Sequence, residues 1–431
     1  MLGGIMTCPQ RIWAPFTLAA LLASTLAGAG ARDTVVPAHV QTSIQDLCYA
    51  ATTCYHRPQT AVPLARLATM VTWAFADARD AAAARRAGIR TIAYLDPSIQ
   101  YDPQRDVAPL ASADETTYLH ACDGSRARVQ LGDLAGSLMD LGAPALRARI
   151  ARYVATDVRP AYDALFADDV FAATDTFARV VAAPCHRSFD EERAATFGAW
   201  AAAGVPIVFN GLGLAPDDGR ASDHALRALD GPNVIGGMYE MCFTAYDPNT
   251  DFTLGHRRVE RAWLSVQNSH LATIARHKDF FCFGESPADG ASDTGIAERI
   301  YTYASFLLAY DPRYSVLQEH LRSAPSGVPV NPETQLVALA PRTTASRAID
   351  ELLHAGAYVR EFDRCYLARA PIGACAAVVN PSATAVIAWP LAGYRASVRL
   401  RGGSIADGGT VALDGAVPAT LAPASAVIAL R

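Results

Sequence analysis

The chain has 431 residues, 51% hydrophobic and 18% charged, a formal net charge of −5, nine cysteines and one lysine, Lys278. That length and apolar content exclude a disordered chain and allow one large core or two moderate ones. The mild acidic excess leaves no basic footprint for nucleic acid, and the scarcity of lysine beside abundant arginine and alanine reads as a coding bias rather than as function.

Residues 1–31 carry the pattern of a secretory signal. Arg11 gives a short positive start, an apolar run follows from Ile12 to Ala27, and Ala29-Gly30-Ala31 is a small-residue cleavage pattern. The run is too short and too rich in small residues to cross a hydrocarbon core of about 30 Å. No later stretch reaches transmembrane length. The expectation is a secreted or periplasmic protein with no membrane span once the signal is removed. Removal also takes Cys8 and leaves Cys48, Cys54, Cys122, Cys185, Cys242, Cys282, Cys365 and Cys375. An even count in an exported chain points to disulfides. The simplest set is Cys48–Cys54, Cys122–Cys185, Cys242–Cys282 and Cys365–Cys375.

Residues 32–63 read as an N-terminal lead segment. From 64 to 345, short apolar runs alternate with helical patterns. The runs are Thr69–Phe75, Arg90–Asp96, Ser137–Leu141, Tyr162–Asp168, Val205–Asn210, Asn233–Glu240, Asp279–Gly284 and Tyr314–Leu317. The helical segments are Asp77–Ala87, Ala143–Val158, Asp190–Ala203, Arg220–Leu229, Arg257–Arg276 and Ile296–Tyr310. Strand then helix, repeated eight times over about 250 residues, predicts a (β/α)₈ TIM barrel. An open doubly wound sheet lacks support because no strand is followed by GxGxxG. The stretch 97–136 is too long for an ordinary connection and predicts an inserted hairpin near Thr117–Gly124. After a connecting segment at 346–364, residues 365–431 are rich in short β-prone runs and Gly-Gly, Asp-Gly and Asn-Pro turns, which predicts a small antiparallel β-sandwich domain.

In such a barrel, functional side chains sit at strand C-termini. Asp168 ends the fourth run and Glu240 the sixth. Two carboxylates facing one pocket suit glycosidic bond cleavage: one protonates the leaving oxygen, and the other attacks the anomeric carbon or activates water. These are the candidate catalytic residues, Asp168 as nucleophile or base and Glu240 as general acid. Trp73, Tyr94, Asp96, Asp169, Phe209, Asn210, Tyr239 and Glu285 are candidates for substrate binding, the aromatics by stacking on sugar faces. Asp169 equally suits capping of the next helix. No His/Asp spacing supports a metal site, and no cofactor is expected.

Several segments resemble known families. Tyr162-Asp163-Ala164-Leu165-Phe166-Ala167-Asp168-Asp169-Val170 is similar to a strand-four DGVFLDDV motif. Met139–Pro144, Gly237-Met238-Tyr239-Glu240, Tyr303–Tyr310, and Val359–Phe362 followed by Gly373–Asn380 match further segments of the same pattern. Over roughly residues 65–430 the chain resembles the hypothetical glycosyl hydrolase family 15 and, more distantly, the endo-α-1,4-polygalactosaminidase family. The resemblance implies a glycosidase acting on carbohydrate, with the motif's first aspartate at Asp168 and the strand-six glutamate at Glu240. The motif's glycine is Ala164 here. Two other classes stand beside an exported glycoside hydrolase: an inactive barrel that binds glycans or a surface polymer, and a metal-dependent deacetylase or hydrolase. The sugar, the linkage, the stereochemistry and the oligomeric state are not legible.

Overall fold

Eight strands close into a parallel barrel in which neighbours in space are neighbours in sequence. They are β1 (Gln41–Leu47), β2 (Trp73–Ala76), β3 (Arg90–Leu95), β4 (Ala164–Ala167), β5 (Ile207–Asn210), β6 (Val234–Glu240), β7 (Asp279–Ser286) and β8 (Ser315–Leu321). The computed structural model describes residues 36–49, 58–102, 114–131, 134–170, 179–185, 189–214, 219–286, 288–321 and 324–431. The expected signal at 1–31 and Cys54 lie outside the described residues.

The principal helices follow the expected segments: α1 (Ala78–Arg86), α2 (Pro144–Tyr153), α3 (Phe189–Ala202), α4 (Asp223–Leu229), α5 (Glu260–Ala275) and α6 (Asp293–Ala309). Local chemistry sets their ends. Asp77 caps α1 by accepting from Arg79 N, and Gly88, at φ +91°, turns the chain out of it. Ser222 and Ser292 cap α4 and α6 in the same way, and Pro144 occupies the first turn of α2.

One barrel strand was not expected, and one expected strand is placed differently. The first barrel strand is Gln41–Leu47, inside the segment expected as a lead. Its polar sequence hides it from a search for apolar runs, because its buried polar groups are paired inside the protein. Ser43 Oγ donates to Gln318 Oε1 at 2.6 Å, and Thr42 Oγ1 donates to the Met70 carbonyl at 2.7 Å. Conversely, the run at Ser137–Leu141 is not in the barrel. Leu134–Leu138 joins Ile99–Asp102, Arg128–Leu131 and Arg179–Ala182 in a four-stranded antiparallel sheet. This sheet is inserted between β3 and β5 and extends the expected hairpin. Three of the expected disulfides are present, Cys122–Cys185, Cys242–Cys282 and Cys365–Cys375.

Side chains alternate along each strand, so residues two apart share a face. Trp73, Phe75, Ile92, Ala164, Phe166, Val208, Met238, Phe281, Phe283 and Val316 form one buried cluster that fills the barrel interior. The intervening residues pack outward. Phe209, Tyr239 and Phe280 join Phe197, Trp200, Trp263 and Tyr303 in the layer beneath the helices. That layer continues into the C-terminal region, where β9 (Leu336–Pro341), β10 (Ala357–Leu367), β11 (Ala370–Asn380), β12 (Ala396–Arg401), β13 (Thr410–Ala416) and β14 (Ser425–Leu430) form an antiparallel sheet in the order β9-β10-β11-β14-β12-β13. The sheet thus begins before residue 365. A separate two-stranded ribbon of Ile387–Ala388 and Thr420–Leu421 packs Ile387 and Leu421 against Val359, Ala376 and Val378 of this sheet as a second layer. Helix α6 packs on β11 and β14. Arg360 of β10 donates to the carbonyls of Leu307, Leu308 and Tyr310 at 3.0–3.1 Å, closing the C-terminus of α6 with a buried cation.

Candidate active site

The interior cluster fixes which residues reach the C-terminal mouth. One step of two beyond Ile92, Phe166, Val208, Met238 and Phe283 stand Tyr94, Asp168, Asn210, Glu240 and Glu285. Five strands therefore each contribute one polar side chain toward the C-terminal end of the barrel.

Asn210 joins the two candidate carboxyl groups. Its Nδ2 donates to Asp168 Oδ1 at 2.9 Å and to Glu240 Oε2 at 2.6 Å. Both partners are carboxyl oxygens, so the NH₂ end of the amide must face them. Those two oxygens are no farther apart than the two bonds laid end to end, about 5.5 Å. Asp168 receives two further donors: the Tyr94 hydroxyl on Oδ2 at 2.6 Å and the Asp169 N–H on Oδ1 at 2.9 Å. All three of these contacts are donors, so this carboxyl is arranged to accept.

Glu240 is in the opposite situation. Burial is the main cause that raises its pKa well above the ordinary glutamate range, and the charges of Asp168 and Glu285 add to it; the Asn210 bond opposes them. One carboxyl is thus prepared to accept, and the other to hold a proton. This division of labour is the one that acid-assisted cleavage uses.

Around this pair the structure gathers most of the expected residues. Tyr94 is 53% exposed, and its ring lies 6.0 Å from that of Phe166. Asp96 is buried at the end of β3 and accepts from the Ser98 and Ile99 N–H groups, both at 3.0 Å. Asp169 takes the Tyr101 hydroxyl on Oδ2 at 2.6 Å. It ties the inserted sheet to the mouth and caps none of the described helices. Glu285 is buried, 4% exposed, close enough for its charge to act on Glu240. Tyr101 was not legible as a site residue. It lies on the inserted sheet, and nothing in the pattern Ile99-Gln100-Tyr101-Asp102 marks it.

Three expected contacts are corrected. Trp73 opens β2 instead of ending a strand, so it lies at the barrel's N-terminal floor. It is fully buried against Phe281, with the Arg90 guanidinium 3.5 Å from its ring centroid. Phe209 and Tyr239 have the outward parity. Phe209 packs on Phe197 at 5.9 Å between ring centroids, and Tyr239 on Phe280 at 6.5 Å. Gly213 lets the chain pass close to the Tyr239 ring, since a Cβ there would stand 3.3 Å from it. None of the three aromatics is open to a sugar. Among the described residues no cluster of three or more His, Cys, Asp and Glu is arranged to hold a metal ion. No helix among the described residues is long and apolar enough to cross a membrane.

Neither a protein-family model nor a curated protein matches the sequence. Solved structures with a similar fold include Aspergillus fumigatus Ega3 in complex with galactosamine, at 9% identity over 67% of this chain and 93% of that one, with a TM-score of 0.42. The glycoside hydrolase domain of PelA from Pseudomonas aeruginosa matches at 17% identity over 66% of this chain and 95% of its own, with a TM-score of 0.39. Arthrobacter globiformis T6 isomalto-dextranase with panose matches at 14% identity over 91% of this chain and 72% of its own, with a TM-score of 0.46.

Proposed function

We propose that the chain is an exported glycoside hydrolase that cleaves a poly- or oligosaccharide at the mouth of its barrel by double displacement, with retention at the anomeric carbon. One observation carries this reading: a single amide, Asn210, hydrogen-bonds both Asp168 and Glu240. Carboxyl groups about 5–5.5 Å apart suit direct attack by one of them, whereas inversion needs about 6.5–9.5 Å to admit a water. Glu240 gives its proton to the glycosidic oxygen while Asp168 attacks the anomeric carbon and the leaving group departs as an alcohol. Glu240, now ionised, takes a proton from water. The oxygen of that water then displaces Asp168 and regenerates both groups. No cofactor is needed. Export is supported by the N-terminal pattern and by three disulfides among the described residues.

The surplus of carboxyl groups at the mouth repels a polymer of uronic acids, so neutral and amino-sugar polymers are the substrates to test first. The experiment is an incubation of the purified protein with a polysaccharide panel, with products read by mass spectrometry. Asp168→Asn and Glu240→Gln should each abolish turnover in folded protein. NMR of the first product formed should show the retained anomer. Full activity in both variants, or an inverted first product, overturns the reading.

A further inference from the structure

Tyr94 takes no part in the steps above, yet it holds the proposed nucleophile. In the register of β3 and β4, Tyr94 pairs with Phe166, and the two rings stack with 6.0 Å between centroids. Asp168 lies two residues past Phe166, on the same face of the strand. Its backbone N–H donates to the Leu95 carbonyl at 2.8 Å, which ties the two strands together at the mouth. The Phe166 ring thus seats the Tyr94 ring so that its hydroxyl donates to Asp168 Oδ2 at 2.6 Å. The two oxygens of Asp168 are not equivalent. A carboxylate oxygen has two lone pairs to offer. Oδ1 takes two donors, Asn210 Nδ2 and the Asp169 N–H, both at 2.9 Å. Oδ2 takes one donor among the described residues, the Tyr94 hydroxyl. That leaves Oδ2 with a lone pair for bond formation, and Oδ1 with none.

We propose that Oδ2 is the attacking atom of Asp168, and that Tyr94 is a positioning residue that aims this oxygen and stabilises it as a leaving group. The proposal rests on Asp168 being the nucleophile. In the first step a bond forms between Oδ2 and the anomeric carbon, and the glycosidic bond breaks as Glu240 gives its proton to the departing oxygen. Oδ2 becomes an ester oxygen, a poor acceptor, and its bond from Tyr94 weakens. Oδ1 becomes the ester carbonyl and keeps its two donors. In the second step the oxygen of water bonds to the anomeric carbon and its proton goes to Glu240. The electron pair of the breaking bond returns to Oδ2. The Tyr94 hydroxyl then meets a charged acceptor again, so its bond is stronger in that transition state than in the ester. In the first step the same bond is being lost. The hydroxyl therefore serves the second step more than the first.

Tyr94→Phe removes the hydroxyl and keeps the ring on Phe166; the residue is 53% exposed, so the packing stays intact. Wild type, Y94F and Asp168→Asn are first incubated with glucans, galactans and amino-sugar polymers. The oligosaccharide that the wild type releases is then supplied as its dinitrophenyl glycoside, whose leaving group departs without an acid, so that the second step limits turnover. Y94F should lose roughly tenfold or more in that step. Its kcat and KM should fall together, while kcat/KM, which reports the first step, falls by much less. Acid-quenched Y94F should carry the mass of one bound glycosyl unit, placed on Asp168 by peptide mapping, and hold it longer than the wild type. A change that only loosened the fold would lower kcat without prolonging this adduct. Suppose that the wild type is active, D168N is not, and Y94F holds no longer-lived adduct or loses kcat and kcat/KM equally. The role of Tyr94 is then overturned and the nucleophile stands. If no polymer is cleaved, or D168N cleaves as the wild type does, the reading of Asp168 falls and this proposal falls with it.

Discussion

Replacing Glu240 by glutamine isolates the proton from everything else that Glu240 does. Gln has the same shape, and its amide oxygen can accept from Asn210 as Oε2 does now at 2.6 Å, so only the ability to give a proton is lost. Two estimates bound the loss. At the upper limit of about 5.5 Å for their nearest bonded oxygens, two unit charges at an effective dielectric of about 20 repel by about 3 kcal/mol. That repulsion from Asp168 keeps the proton on Glu240 in the resting site and is released as Asp168 spends its charge on the anomeric carbon. Positioned general acids contribute about 10²–10⁴ in rate, roughly 3–5 kcal/mol. The expected kcat for a natural linkage is therefore at least about 100-fold lower. An aryl glycoside whose leaving group departs without protonation should be almost unaffected in its first step. The alkaline limb of the pH–rate profile should also vanish. Wild-type Glu240 has a folded pKa raised by burial and by Asp168 and Glu285, and activity falls as that proton leaves. Stability carries the same sign. The stability associated with the protonated group is complete at acid pH and is lost as pH rises through the raised folded pKa. E240Q should thus melt higher than wild type above that pH, and the advantage should shrink in acid. Equal losses on both substrates, or an alkaline limb that survives in E240Q, would refute the assignment of Glu240 as the acid.

Three further outcomes are expected. Asn210→Ala removes the donor shared by both carboxyl groups; kcat should fall roughly 10–100-fold. Because the Asn210 bond holds the Glu240 pKa down, the alkaline limb should move to higher pH, and a shift to lower pH would contradict the geometry. Replacing both Cys242 and Cys282 by alanine opens a link across 40 residues. The chain-entropy model gives a cost of about 4 kcal/mol, which denaturant unfolding of the oxidised wild type against the variant would measure. Arg360→Met strips three carbonyls at the end of α6 of their partner. Stability should fall by about 3 kcal/mol or more, with kcat unchanged in the folded fraction, since Arg360 lies on β10 and not on a strand that supplies the mouth.

The parts of the fold that were legible are those whose signal is local. Strand–helix alternation is written in the hydrophobic pattern, and helix starts at Asp77, Ser222 and Ser292 carry capping side chains that any such helix needs. The unexpected strand and the misplaced one show where local signals end. Gln41–Leu47 is a barrel strand because Thr42 and Ser43 find partners from Met70 and Gln318, the latter 275 residues away. Its register is a tertiary fact. The run at Ser137–Leu141 has the composition of a barrel strand, but it pairs antiparallel with Ile99–Asp102 and Arg128–Leu131. Composition does not distinguish the two pairings.

The site divides along a finer line. Asp168, Asn210 and Glu240 could be named because each ends an apolar run, and a run's end is visible in sequence. Their neighbours Phe209 and Tyr239 end the same runs and belong to the layer beneath the helices. What separates Phe209 from Asn210 is one step of strand parity, and parity is set by which residues fill the barrel: Val208 inward places Phe209 outward and Asn210 inward again. Once the interior residues are known, the assignments on the barrel strands follow from counting in twos, and Asp169, one step past Asp168, is the exception. The same counting rejects Trp73, which is inward but at the wrong end of its strand, and admits Tyr94, Asp96 and Glu285. Tyr101 escapes it, because the inserted sheet does not share the barrel's register. Its place follows only from the hydroxyl that it gives to Asp169. A barrel site of this kind is thus readable from sequence to the extent that its residues come from barrel strands, and the groups that adjust it come from the insertions that sequence reads least well.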